Sequence, residues 1–208
     1  MKNKYHIAYD EAAAELQLRD AKQTARLAGG VYDPATRSLT IKLAHRPVSF
    51  HYDDSRMVWR DTGLDFDKHP GDIAIIHYLV NAGGDQPGGD FVPYRGLWGA
   101  GAQSGPFIDR PEASLAEAFA ADPAAVLARA RGIGADIEDK NGDAEVTVSI
   151  FPHIPVRVML YGADDELPAE AKFLFDSVIS RYLPTEDITW VADFMAWLLV
   201  SDSAAYSE

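Results

Sequence analysis

Alternation of apolar and polar positions is the clearest signal along the chain. Leu39, Ile41 and Leu43 alternate with Thr40 and Lys42, Val48, Phe50 and Tyr52 alternate with Ser49 and His51, and residues 57–59 follow an Asp53-Asp54-Ser55 turn. Period-two runs divided by turn residues predict a three-stranded antiparallel meander. Ahead of it, residues 9–27 are rich in Ala, Glu, Leu, Arg and Gln and predict one helix, with Asp10 as N-cap and Gly29-Gly30 as the stop.

After the meander, Pro70-Gly71-Asp72 opens a second helix in which Ile73, Ile76, His77 and Val80 share a face, ended by residues 81–84. Residues 85–111 are full of Gly and Pro and keep neither period, which predicts a long ordered loop and a first place to look for a binding surface. Two short helices follow over 114–120 and 123–131, the second capped by Asp122 ahead of Pro123.

In the last third, Val146, Val148 and Ile150 alternate, Phe151-Pro152-His153-Ile154-Pro155 interrupts, and Val156, Val158 and Leu160 alternate again. These two β segments either pair or form one kinked edge strand. Ala171, Leu174, Phe175, Val178, Ile179 and Tyr182 keep helical spacing and predict a helix over 168–182. A last helix starts near Thr185, with Ile188, Val191, Ala192, Met195 and Leu199 turned inward. The sum is an α+β fold in a single domain over 1–208: an antiparallel meander and a second β pair packed with about five or six helices.

Composition changes this picture mainly by exclusion. With no cysteine the chain has no disulfide, thiolate zinc site or cysteine-ligated cluster of its own, so any metal must take histidine or oxygen ligands. A net charge of −13, with its 19 basic residues in no dense run, argues against nucleic acid and anionic membranes as partners. No apolar run reaches the roughly 20 residues that span a bilayer, and the opening residues turn acidic where a signal peptide needs an apolar centre. A cytoplasmic location is expected.

Four places carry candidate chemistry. Asp164, Asp165 and Glu166 gather carboxylates of the kind magnesium or calcium takes, with Asp176 as a further ligand; equally, acids before a helix answer its dipole, and Asp176 is placed to reach the acidic turn or a backbone amide, or to pair with Lys172. His77, on an apolar helix face, reads as a general base, an axial cofactor ligand, or a core imidazole satisfied by one hydrogen bond. His153, between two prolines, is either a presented imidazole or a turn residue. Tyr94, Arg95 and Trp98 set an arginine among aromatics in the Gly-rich loop, suited to a planar anion or to pinning the loop through a carboxylate. Phosphate-loop and nucleophile-elbow motifs are absent.

The order of Ile76-His77-Tyr78-Leu79, Tyr94-Arg95-Gly96-Leu97, Phe151-Pro152-His153-Ile154-Pro155, Asp164-Asp165-Glu166-Leu167-Pro168, Leu174-Phe175-Asp176-Ser177 and Tyr182-Leu183-Pro184-Thr185-Glu186-Asp187 resembles the bacterial and archaeal family of domains of unknown function numbered 3786. The resemblance runs over nearly the whole chain and brings no established activity. Its members occur largely in anaerobes, and some carry an added cysteine-rich iron–sulfur domain of the kind seen in corrinoid proteins, which implies a link to redox-cofactor or corrinoid metabolism. Where relatives tend to read Phe-Arg-Glu-Leu-Pro-Gly-Gly, this chain reads Tyr94-Arg95-Gly96-Leu97-Trp98-Gly99-Ala100 and lacks the acid after the arginine.

The expectation that follows is an accessory protein for a small anionic or tetrapyrrole-like cofactor, held by His77, Tyr94, Arg95 and Trp98, with a redox or iron–sulfur protein as partner. Two rivals stand beside it. One is a magnesium-dependent hydrolase or transferase built on the 164–166 acidic turn, and the other is an interaction module presenting Trp190, Phe194 and Trp197 on the last helix.

Overall fold

The computed structural model describes residues 4–66, 71–100, 105–139 and 143–201. Pro70 and His69 lie outside them. The fold is α+β, with two antiparallel sheets of four and five strands, and the chain sorts into two compact units, each built from separate stretches of sequence.

The first unit comprises residues 1–87, 151–154 and 178–190. It opens with α1 (Lys4–Gln17) and α2 (Ala21–Leu27) rather than one helix. Asp20 makes the break: it takes an extended backbone and accepts a hydrogen bond from the Gln23 amide at 2.7 Å, the act of an N-cap. Asp10, the expected cap, lies inside α1 instead. The sheet that follows is a four-stranded meander, β1 (Val31–Asp33), β2 (Ser38–Leu43), β3 (Arg46–His51) and β4 (Arg56–Trp59), with β1 added to the three expected strands. Leu39 faces Phe50 and Ile41 faces Val48 across β2 and β3, and all four are buried, as the alternation requires.

Nine of the ten residues of α3 (Gly71–Val80) are buried, and His77 is the exception. Tyr78 stacks between Phe151, at 4.5 Å, and Tyr182, at 5.0 Å, and its hydroxyl donates to the Ala28 carbonyl. Tyr182 belongs to the short α6 (Ile179–Tyr182), from which the chain enters α7 (Thr185–Val200).

The second unit comprises residues 88–150, 155–177 and 191–208. Its sheet runs in the order β5 (Phe91–Pro93), β9 (Glu170–Asp176), β8 (Ile154–Tyr161), β7 (Ala144–Phe151) and β6 (Asp136–Glu138). The two expected β segments are thus paired neighbours, joined by a Pro152-His153 turn. The helix expected over 168–182 is not there. Ala171, Phe173 and Phe175 are buried while Lys172 is exposed, a two-residue period that fits β9 held between β5 and β8. The apparent helical spacing arises because the end of β9 and the separate α6 follow one another closely, and pairing on both sides overrides local preference.

The stretch 85–111 is also more structured than its composition suggests. It holds β5, a 3-10 turn at Tyr94–Gly96, and the first residues of α4 (Gly105–Ala121), which runs through Pro111. Proline reads as a breaker in sequence, yet one interior proline is accommodated here. Then α5 (Pro123–Gly132) begins as expected, Asp122 accepting from the Ala125 amide at 2.9 Å. Along α7, Ile188, Val191, Ala192, Met195 and Leu199 are all fully buried.

Candidate functional site

In the second unit, the three-residue β5 pairs only with Leu174, Phe175 and Asp176 at the end of β9. Among the described residues the first half of β9 therefore has no strand on that side. Helix α4 occupies the place, and Glu112 answers the backbone: its Oε1 accepts the Phe173 amide at 2.9 Å. Beside this junction is a cavity of about 400 Å3. Tyr94, Ile108, Met159, Phe173 and Leu174 give it apolar walls. Tyr94 is buried by the 3-10 turn and meets Phe175 edge-on at 6.3 Å.

Four charged side chains line the same cavity: Arg95, Asp109, Glu112 and Lys172. Two are answered within the protein. Lys172 Nζ lies 2.8 Å from Glu170 and 3.8 Å from the second oxygen of Glu112. Burial pushes the Glu112 carboxyl above its ordinary range, opposed by the Phe173 amide and the Lys172 charge. Lys172 is held high in turn by its hydrogen bond to Glu170. Arg95 and Asp109 are both exposed and form no ion pair with each other or with any other described residue, although the charge of Asp109 adds to the rise at Lys172.

The expected site residues fall in different places. Tyr94 and Arg95 line the cavity together; Trp98 and His77 do not, and Trp98 is 88% exposed. His77 belongs to the first unit, where its Nδ1 lies 2.6 Å from Asp187 Oδ2. That hydrogen bond raises the imidazole pKa, burial opposes it, and the charges of Asp187 and Glu15 add to the rise. His153 sits in the β7–β8 turn with its ring 6.1 Å from that of Tyr182.

The four carboxylates expected to hold a metal do not converge. Asp164 is an exposed turn residue whose Oδ1 accepts the amides of Glu166 and Leu167, which holds its carboxyl below the usual range, and Asp165 and Glu166 are exposed beside it. Asp176 is fully buried and accepts the Gly89 amide at 2.7 Å. Among the described residues no group of three or more acids or histidines is placed to hold a metal ion. With β9 in place of the expected helix, there is also no dipole for the acidic turn to answer. On α7, Phe194 is buried and stacked on Trp197, while Trp190 and Trp197 are half-buried, so the three rings do not form an exposed aromatic face.

Asp109 and Glu112 do not stand out in the sequence because Asp109 falls in the stretch that reads as loop and Glu112 between that stretch and the helix expected over 114–120. Their three-residue spacing was the available signal, since it sets both on one side of a helix. No helix among the described residues is long and apolar enough to cross a membrane. No curated protein and no solved structure matches the chain. A family model does, over residues 20–197, and by that match the chain belongs to the domain of unknown function family DUF3786.

Proposed function

We propose that the chain is a binding protein for a small anionic compound, received by the cavity between α4 and the uncovered half of β9. One observation carries this reading. Arg95 lines an otherwise largely apolar cavity and is committed to no carboxylate among the described residues, in a chain whose net charge is −13. An exposed guanidinium beside apolar walls suits a ligand carboxylate or phosphate, which it can grip through two parallel hydrogen bonds. Ligand sites are commonly of this kind, apolar with few polar groups and roughly 300 to 1,000 Å3 in volume. At about 400 Å3 the cavity favours a compact ligand, and a tetrapyrrole with His77 as axial ligand draws no support because His77 does not line it.

The test is thermal unfolding of the full chain against a panel of small carboxylates and phosphates without amino groups, from acetate to phenylpyruvate and phosphoenolpyruvate. The expected result is a concentration-dependent rise in Tm with at least one of them, lost in Arg95→Ala, since a ligand that binds only the native state stabilises it. A panel without effect, or an equal response in Arg95→Ala, would overturn the reading.

A further inference from the structure

An anion on Arg95 leaves Asp109, the cavity's other charge without an ion-pair partner among the described residues, with no ligand group to meet. Glu112 and Lys172 are tied to the Phe173 amide, to Glu170 and loosely to each other, which leaves Arg95 and Asp109 as the two groups of opposite sign that line the cavity without an ion-pair partner among the described residues. Arg95 comes from the 3-10 turn after β5 and Asp109 from α4, so two separate elements deliver them to one cavity. Ile108, Met159, Phe173 and Leu174 supply apolar surface to the same lining.

We infer that the cavity receives a small zwitterion with an apolar side chain, of the class of a free hydrophobic amino acid, its carboxylate on Arg95 and its ammonium on Asp109. The inference rests on the anion reading above and adds the cationic and apolar parts of the ligand. Each contact has its chemistry: a planar fork for a planar carboxylate, a carboxylate oxygen for an ammonium proton, and burial of the side chain against apolar walls. Removing the ammonium leaves the exposed Asp109 carboxylate beside a ligand anion, so attraction gives way to like-charge repulsion.

Isothermal titration of the full chain with L-phenylalanine and L-leucine, and with N-acetyl-L-phenylalanine and phenylacetate as anions without the ammonium, tests it. Phenylalanine or leucine is expected to bind about tenfold or more tightly than the two anions. Asp109→Asn, an exposed substitution, is expected to remove that preference by raising the anions' affinity and lowering that of the amino acids, and Arg95→Ala to weaken both classes. If the anions bind as tightly as the amino acids, or if they bind and the amino acids do not at millimolar concentration, the zwitterion inference falls and the anion reading stands. If neither class binds here and the amine-free panel also has no effect, both fall.

Discussion

His77 and Asp187 stand 110 positions apart in the chain, and their side chains meet at 2.6 Å. The hydrogen bond ties the last turn of α3 to the first turn of α7 and raises the imidazole pKa. A group whose pKa is higher folded than unfolded stabilises fully below its unfolded value, about 6.5 for histidine, and loses that contribution as pH rises through the folded value. His77→Gln is therefore expected to cost about 1 to 2 kcal/mol at pH 6 and less at pH 9. Urea unfolding of both proteins at the two pH values measures it, and an equal cost at both would assign the pair's effect to packing rather than charge.

Glu112 is raised in pKa by burial, so the sign at this carboxyl is also that of stability lost as pH rises. Two substitutions separate its charge from its shape. Glu112→Gln keeps an acceptor for the Phe173 amide and removes the buried charge, and its stability at pH 7 is expected to equal or exceed that of the wild type. Glu112→Ala leaves the amide unanswered and is expected to cost about 1 to 3 kcal/mol. Equal losses in the two variants by chemical denaturation would contradict this division.

Gly29 and Gly63 both take left-handed backbone, at φ of 67° and 72°. A Cβ at Gly63 would meet nothing within 4 Å, whereas one at Gly29 would lie 2.7 Å from Pro152 Cβ. Gly63→Ala is expected to cost about 1 kcal/mol from backbone strain alone, and Gly29→Ala on the order of 2 to 4 kcal/mol because strain and overpacking add. Comparing their Tm values is sufficient, and similar shifts would show that the turn at Pro152 yields.

At the acidic turn, Asp164 serves the amides of Glu166 and Leu167 in the open. Its replacement by alanine is expected to cost less than about 1 kcal/mol. Millimolar magnesium is expected to leave the Tm of the wild type and of Asp165→Asn alike, measured against sodium at equal ionic strength. A magnesium-dependent rise abolished by Asp165→Asn would return the carboxylate–metal reading to consideration.

What could be read in advance follows from how locally each element is decided. The pairing of β2 with β3 and the inward face of α7 are legible because alternation at Leu39, Ile41 and Leu43, or helical spacing from Ile188 to Leu199, fits one structure only. β9 is not, because Leu174, Phe175, Val178 and Ile179 satisfy helical spacing as well as they satisfy a strand end followed by a short helix. Only the flanking strands, β8 nearby and β5 distant in sequence, decide between the two. The same contrast holds in the candidate site. Arg95 stands out beside aromatics in a Gly-rich stretch, but Asp109 precedes Arg110-Pro111 and is hidden by the proline, and Asp187 acquires its histidine only through the fold.

The pairing of Phe91 with Asp176 also sets an order of assembly. The meander is expected to close soon after it leaves the ribosome, since its partners are near neighbours in the chain. β5 emerges early and then waits roughly 85 residues for β9, on the order of 4 to 17 s at ordinary elongation rates. During that delay the five-stranded sheet lacks its second strand, and the cavity beside it lacks the wall that Phe173 and Leu174 supply. Nascent protein is thus expected to gain its ligand-competent form only near the end of synthesis, and a chain stalled before Glu170 would show a formed meander and a second sheet in which β5 has no partner strand.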